Sequence, residues 1–427
     1  MDSLKIGSPK RKILPKSSWS EFFPYYAGFP VSFAKDILAS ADLPKNALIF
    51  DPWNGSGTTT FSAAQLGFKS AGLDLNPAMV IVAKARMLSP SEADSIEPQA
   101  RSLVKNLKPY DSYAQDDSLS QWFDPSTAAT LRAIERRIRK RLIGNLSNTS
   151  QGINFEKLSG FACTFYVALF SICRDLTLPY RSSNPTWLRI PKSGEEKIYA
   201  TPASIVKSFV AHATNMANTL EKTTLEIDYK SCTISSGSTL ELSETSFADF
   251  ILTSPPYCTR IDYTAATRIE LSILSPLLDK TYTQLSREMI GSTKVPSLAI
   301  TPDQRWGKTC INFLESILNH TSKASSGYYY KTHLDYFNKM SISMNNIANS
   351  LKNGGRAVMV VQDSYYKDIH NNLPAIFVEM ASNADLNFIR KEDFYVSNTF
   401  SGINPNTKKY RASASAVESV LCFAKSN

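Results

Sequence analysis

The chain of 427 residues has only six cysteines, at positions 163, 173, 232, 258, 310 and 422, and no two of them form a C-x-x-C pair. Cysteines scattered in this way exclude a zinc site and a disulfide framework, and reduced core residues are expected instead. No run of about 18 apolar residues occurs, so no membrane-spanning helix is expected. The opening Met1-Asp2-Ser3-Leu4-Lys5 lacks an apolar stretch ahead of its basic residues, which argues against secretion and for a cytoplasmic location. Acidic side chains are fewer than basic ones, 38 against 47, leaving a formal charge of +9. That balance favours a polyanionic partner, because Lys and Arg meet phosphates and release their counterions. An apolar fraction of 43% over this length suits a globular protein of one large or two ordinary domains.

The positive charge is clustered. Lys5, Lys10, Arg11, Lys12 and Lys16 fall in a Pro/Ser-containing amino-terminal stretch. Arg132, Arg136, Arg137, Arg139, Lys140 and Arg141 crowd one predicted helix, and Lys408, Lys409 and Arg411 lie near the carboxyl terminus. Each cluster alone reads equally well as solvated surface, whereas the three together favour nucleic acid.

Two segments carry chemistry. Ala47 to Thr60 runs from an apolar strand into Asp51, then through Pro52-Trp53-Asn54-Gly55-Ser56-Gly57-Thr58-Thr59, then into a helix with Ala63, Ala64 and Leu66 on its apolar side. Gly55 and Gly57 allow the backbone to approach a ligand, and the following helix start favours an anionic group. No Lys-Ser/Thr follows the glycines and the spacing is not G-x-G-x-x-G, so neither a nucleoside-triphosphate loop nor a dinucleotide fingerprint is present. About 20 residues on, a second short strand ends at Asp74-Leu75-Asn76, where a doubly wound fold places a carboxylate for ribose hydroxyls.

The other segment, Asp249 to Tyr257, is a buried-strand pattern that stops on Ser254-Pro255-Pro256-Tyr257. Two prolines cannot continue a central strand, so a rigid turn hangs from its carboxyl end. Such a turn offers oxygen acceptors to an amino group and the ring of Tyr257 to a planar base.

Asp51 to Thr59 and Thr253-Ser254-Pro255-Pro256-Tyr257 together resemble the D-P-F-x-G-S-G-T cofactor loop and the (D/N/S)-P-P-(Y/F) motif of the amino-methylating, S-adenosylmethionine-dependent DNA methyltransferases. Trp53 in place of Phe keeps an aromatic. Ser254 at the first position of its motif is typical of enzymes acting on the cytosine amino nitrogen, whereas adenine enzymes more often carry Asp or Asn there. The resemblance extends to Phe22-Phe23-Pro24-Tyr25-Tyr26-Ala27-Gly28-Phe29, which leads into a helix through Phe33 and Ile37, and to Gly237-Ser238-Thr239-Leu240.

The resemblance implies a Rossmann-like α/β fold, with a mostly parallel twisted sheet and a terminal antiparallel hairpin. It implies S-adenosylmethionine as cofactor and no metal. Tyr26, Phe29, Asp51, Pro52, Trp53, Gly55, Ser56, Gly57, Thr58, Thr59, Asp74, Leu75, Asn76 and Ser238 are the expected cofactor contacts. Ser254, Pro255, Pro256 and Tyr257 are the expected catalytic residues. Ser254 and a Pro255 carbonyl would accept hydrogen bonds from the amino group, and Tyr257 would clamp a base flipped out of the duplex. This route needs no cysteine nucleophile, and the chain has no Pro-Cys dipeptide.

The expected layout is a basic flexible tail at 1–20, a catalytic domain made of 21–90 and 230–427, and a helical insertion at 91–229 as candidate target-recognition region. A second candidate DNA-contacting segment spans 258–335. In the catalytic domain, Arg356 to Gln362 reads as a strand following an amphipathic helix around Tyr336 to Leu351, with Gly354-Gly355 as the helix stop, and Ala416 to Phe423 closes the sheet. Arg136, Arg139, Arg181, Trp187, Arg260 and Lys294 are the candidate nucleic-acid contacts. The expected partners are double-stranded DNA and a cognate restriction endonuclease or other defence-system protein, in the nucleoid of a bacterial or archaeal cell. Adenine N6 methylation, methylation of an RNA base amino group, and a degenerate methyltransferase serving only as a recognition subunit are the alternatives.

Overall fold

The structure is a computed structural model that describes residues 3–10, 22–24, 28–108, 116–144, 153–181, 188–222, 231–258, 263–295, 300–396 and 416–427. Its centre is a seven-stranded sheet built from β1 (Leu48–Asp51), β2 (Lys69–Asp74), β3 (Cys232–Ser236), β4 (Ala248–Thr253), β5 (Leu351–Gln362), β8 (Leu386–Val396) and β9 (Ala416–Lys425). A short separate hairpin joins β6 (Ser364–Tyr366) to β7 (Ile369–Asn371). The spatial order is β3-β2-β1-β4-β5-β9-β8. Neighbours from β3 to β5 pair in parallel, while β9 runs antiparallel between β5 and β8. This is the Rossmann-like sheet with an antiparallel end that the sequence led us to expect. Strands β8 and β9 form the expected hairpin, but Ala416 to Phe423, read as closing the sheet, lies inside it and β8 forms the edge.

The chain moves outward from β1 through β2 to β3, then returns to lay β4 on the other side of β1. This reversal opens a crevice beyond the carboxyl ends of β1 and β4, the place where open α/β sheets bind ligands. Strand β4 is buried along almost its whole length, as a central parallel strand should be.

Thirteen helices are assigned among the described residues. Helix α1 (Val31–Ser40) covers one face, its Phe33, Ala34, Ile37 and Leu38 packed on Ile49, Phe250, Leu252 and Val358. Helix α2 (Thr58–Gln65) follows β1 and buries Ala63 and Ala64, whereas Leu66, expected on its apolar side, is 37% exposed just beyond its end. The other face carries α3 (Pro77–Arg86) together with α4 (Ala93–Val104), α5 (Pro125–Ile138), α6 (Gly160–Leu176) and α7 (Pro202–Glu221), all in one hydrophobic cluster. The insertion is therefore continuous with the core. A Cβ on Gly160 would lie 2.9 Å from the Lys84 carbonyl oxygen, a measure of how closely α6 approaches α3.

After β4 come α8 (Tyr263–Ala266), α9 (Arg268–Leu274), α10 (Tyr282–Glu288), α11 (Lys308–Leu318), α12 (Tyr330–Ser350) and, after the β6–β7 hairpin, α13 (Leu373–Ser382). Helix α12 ends at Ser350, and Leu351 already opens β5. Gly354 and Gly355 thus lie inside the strand, beside the register shift between Ala248 and Phe250, and do not stop the helix.

The amino-terminal stretch is anchored at its start. Leu4 is buried, the Lys5 amide donates to Ser40 Oγ at 2.8 Å, and Arg390 donates to the Leu4 carbonyl at 2.8 Å. This corrects the expected flexible tail for residues 4 and 5. Residues 11–20 and the basic cluster at 408–411 lie outside the described residues.

Candidate active site

Asp51 ends β1 and is 3% exposed. Its Oδ1 accepts from the Trp53 amide at 3.1 Å and the Thr253 hydroxyl at 2.6 Å, which joins the ends of β1 and β4. Asp74 ends β2 and holds the glycine loop: Oδ2 accepts from the Gly55 amide at 2.7 Å and Oδ1 from the Asn76 amide at 2.8 Å. Burial pushes both carboxyls up to about 6, and the charge of Asp51 adds to the rise at Asp74.

Gly57 turns the chain into α2 at φ 77°, where any Cβ would also meet that of Ala83 at 3.0 Å. Asn54 is fixed by the Thr60 hydroxyl at 3.0 Å and lies over Gly72, where a Cβ would come within 2.4 Å of its side chain. Arg86 Nη1 donates to the Ser56 carbonyl and the Thr58 hydroxyl, both at 3.2 Å.

The Ser254–Tyr257 turn leaves β4 into the same crevice. Ser254 Oγ donates to the Val360 carbonyl at 3.1 Å or to Tyr257 Oη at 3.3 Å, and either choice leaves oxygen lone pairs for an incoming amino group. The turn is fixed from outside by Tyr263 Oη, which accepts from the Tyr257 amide at 3.1 Å, and by Tyr336 Oη, which donates to the Pro256 carbonyl at 2.7 Å. Tyr257 Oη donates to Glu418 Oε1 at 2.9 Å.

One cleft of about 110 Å³ brings these pieces together. Of the expected cofactor contacts, Phe29, Asp51, Pro52, Trp53, Gly55, Ser56, Thr58, Asp74, Leu75, Asn76 and Ser238 line it, as do Ser254, Pro255, Pro256 and Tyr257. Gly57 shapes the loop from behind, and Thr59 is buried, donating to the Leu252 carbonyl at 2.9 Å to tie α2 to β4. Tyr26 lies outside the described residues. Met79, Tyr263 and Glu288 to Ile290 complete the lining, and all but Met79 fall in the 258–335 segment read from the sequence as a second DNA-contacting candidate.

The remaining candidates are elsewhere. Arg136 is half-buried on α5, and Arg139 pairs with buried Glu135 at 3.1 Å. Arg132 on the same helix is 3% exposed and donates to Asp117, Ile273 and Ser272. Arg137 and Arg141 donate to backbone carbonyls of residues 102–106. Much of the basic row that suggested a nucleic-acid face is therefore spent fastening α5 to its neighbours. Arg181 bridges to Leu188, and Lys294 sits 4.7 Å from the centre of the Tyr282 ring. Trp187 and Arg260 lie outside the described residues.

Two buried contacts couple the halves of the cleft. Asn76 Nδ2 donates to Thr267 Oγ1 at 2.7 Å, joining the end of β2 to the segment after the turn. Arg174 on α6 pairs with fully buried Glu270 on α9, donates to the Pro24 carbonyl at 2.9 Å and stacks over Phe23 at 3.6 Å. The amino-terminal motif, the insertion and the segment after the turn thus meet at one guanidinium.

The donor set suits S-adenosylmethionine. Two carboxylates lining the cleft match hydroxyl groups and positive charge, and Phe29, Leu75, Met79 and Ile290 match an adenine ring and thioether. No group of three or more His, Cys, Asp or Glu that could hold a metal occurs among the described residues. No described helix is long and apolar enough to cross a membrane.

Residues 8–85 match the DNA methylase family N6_N4_Mtase. Type II methyltransferase M.AvaI from Nostoc sp. and from Anabaena variabilis is 22% identical in each case, over 88% of this chain and 80% of the relative. Among solved structures, a SAM-dependent methyltransferase from Methanosarcina mazei aligns over 91% of this chain and 97% of its own at 8% identity and a TM-score of 0.30. The rRNA methyltransferase aviRa from Streptomyces viridochromogenes aligns over 93% and 87% at 12% identity and a TM-score of 0.29. The amino-terminal segment with its glycine loop thus matches the DNA methylase pattern, and most of the chain is similar to a Type II methyltransferase.

Proposed function

We propose that this protein transfers a methyl group from S-adenosylmethionine to N4 of a cytosine flipped out of duplex DNA, at a defined sequence, as the modification arm of a restriction or related defence system. The observation that carries this reading is the opening of Ser254 and its proline turn into the same cleft as Asp51, Asp74 and the glycine loop. When bound, the cofactor supplies a methyl group already activated as a sulfonium substituent. The protein's task is then orientation. Ser254 Oγ and the turn's carbonyls accept from the amino group and favour a lone pair on its nitrogen, while Asp51 and Asp74 fix the loop that holds the donor. Extruding the base costs a few kcal/mol of stacking and pairing, offset by stacking on Tyr257 and by contacts to phosphate. Ser254, where adenine enzymes carry Asp or Asn more often, supports cytosine.

Incubation with methyl-labelled S-adenosylmethionine and duplex DNA, tRNA or rRNA, followed by nucleoside analysis, tests the proposal. N4-methylcytosine in DNA is the expected product. N6-methyladenine would overturn the choice of base, and label confined to RNA would overturn the choice of substrate.

A further inference from the structure

Granted the amino-methyl transfer proposed above, one proton must leave the cleft in every turnover. The amino nitrogen gains a methyl group and stays positively charged until it sheds a hydrogen. No histidine lines the cleft among the described residues, Asp51 and Asp74 are engaged in holding the loop and the strand ends, and Glu288 is paired with Lys280 at 2.7 Å. One hydrogen-bonded path leads away from the reacting nitrogen. Ser254 Oγ, when its hydrogen turns from the Val360 carbonyl at 3.1 Å, donates to Tyr257 Oη at 3.3 Å, and Tyr257 Oη donates to Glu418 Oε1 at 2.9 Å.

We infer that Glu418 is the terminal acceptor of the substrate proton, reached through Ser254 and Tyr257. As the nitrogen–carbon bond forms, the methyl–sulfur bond breaks and its electron pair stays on sulfur. The nitrogen's proton passes to Ser254 Oγ, the proton of Ser254 to Tyr257 Oη, and that of Tyr257 to the carboxylate. One cationic sulfonium and one carboxylate anion are converted to a neutral thioether and a neutral acid, so charge balances.

The surroundings fit this role. Glu418 is half-buried on β9, opposite Gln362 on β5 and Phe394 on β8, so the proton it takes can pass on to water. Burial raises its carboxyl above the ordinary value and makes it a better acceptor; the Tyr257 hydroxyl and the charge of Lys10, which face it, oppose the rise. Burial also holds the Tyr257 phenol far above its usual range, so that residue relays a proton without persisting as a phenolate. The chain is held still by Tyr263 and Tyr336 on the turn, and by the Val417 amide donating to Asp363 Oδ1 at 2.7 Å, next to Glu418. Glu418 acts through Tyr257 and does not touch the base. A purely positioning role, holding the ring of Tyr257, is the competing account.

Glu418→Gln separates the two, because glutamine keeps an oxygen acceptor for the phenol but cannot take a proton. Single-turnover transfer would be measured over a pH series with enzyme in excess, saturating S-adenosylmethionine and amplified, hence unmethylated, bacterial DNA. The wild-type rate should rise with pH across the titration of Glu418. E418Q should be slower by about 100-fold and lose that rise, Tyr257→Phe should behave alike, and the double variant should be no slower than either. E418Q running at the wild-type rate with the wild-type profile overturns the relay. Cofactor affinity, measured for each variant, verifies folding; should E418Q bind none, the wild-type profile decides, and a flat one overturns the relay. A wild type that labels no DNA overturns the methyl transfer itself, and the relay with it.

Discussion

Asp74→Asn tests whether the two carboxylates at the strand ends are held charged against the preference of the empty fold. Asparagine has one carbonyl oxygen where Asp74 has two acceptors, so either the Gly55 or the Asn76 amide loses its partner, a loss of about 1–3 kcal/mol. The opposing effect is of similar size. Burial lifts the Asp74 carboxyl from 3.8 to about 6, and a shift of about 2.2 units corresponds to roughly 3 kcal/mol of penalty on the charged form, which asparagine removes. Near neutral pH the variant should therefore be almost as stable as the wild type. The pH dependence should differ. A carboxyl whose folded value lies above its unfolded one makes the native state bind more protons between the two, so wild-type stability falls as pH rises from about 4 to about 6. D74N should lack that share of the fall, while the share of Asp51 remains. Urea unfolding at a series of pH values measures both curves, and titration with S-adenosylmethionine gives the affinity, which should drop by about 10–100-fold for a lost hydrogen-bond set of this kind. Parallel stability curves for D74N and wild type over this range would refute the reasoning about burial.

Four further outcomes follow from named contacts. Gly72→Ala should displace the Asn54 side chain, loosen the glycine loop and weaken cofactor binding, with little effect on DNA binding by gel shift. Arg174→Ala should cost about 3–5 kcal/mol in thermal or urea unfolding by stranding buried Glu270, and replacing both partners by apolar residues of similar size should restore most of it. Ser254→Ala should lower turnover while calorimetry finds cofactor affinity nearly unchanged; equal losses would mean the hydroxyl serves the donor rather than the base. Cys258 adjoins the turn, but burial pushes its thiol up to about 12, so a maleimide at neutral pH should leave it unmodified and methyl transfer intact, checked by mass spectrometry and activity.

Local chemistry made part of this site legible. Asp51 to Thr58 and Ser254 to Tyr257 are short stretches in which glycine, proline and an acid each limit the backbone, and such limits act wherever the segments sit. Glu418 had no such signal: it is 161 residues from Tyr257 and looks like one more polar residue on a strand until β9 inserts between β5 and β8. Arg132 misled for a related reason, since a guanidinium in a basic row reads as solvated until Asp117 and the carbonyls of Ser272 and Ile273 enclose it. Gly354 and Gly355 carried a correct punctuation mark on the wrong element. Helix α12 stops at Ser350, and the glycines serve the irregular start of β5.

The single hydrophobic cluster shared by α3 and helices α4 to α7 makes the 91–229 segment part of the core that supports the sheet. A module that sits on a linker can be exchanged between relatives as a unit, whereas removing 91–229 here would strip one wall from the sheet, uncover the α3 surface that Gly160 packs against and leave buried Glu270 without Arg174. On the proposed reading that 91–229 recognises the DNA target, changes of target are confined to loops and exposed side chains that the shared core tolerates.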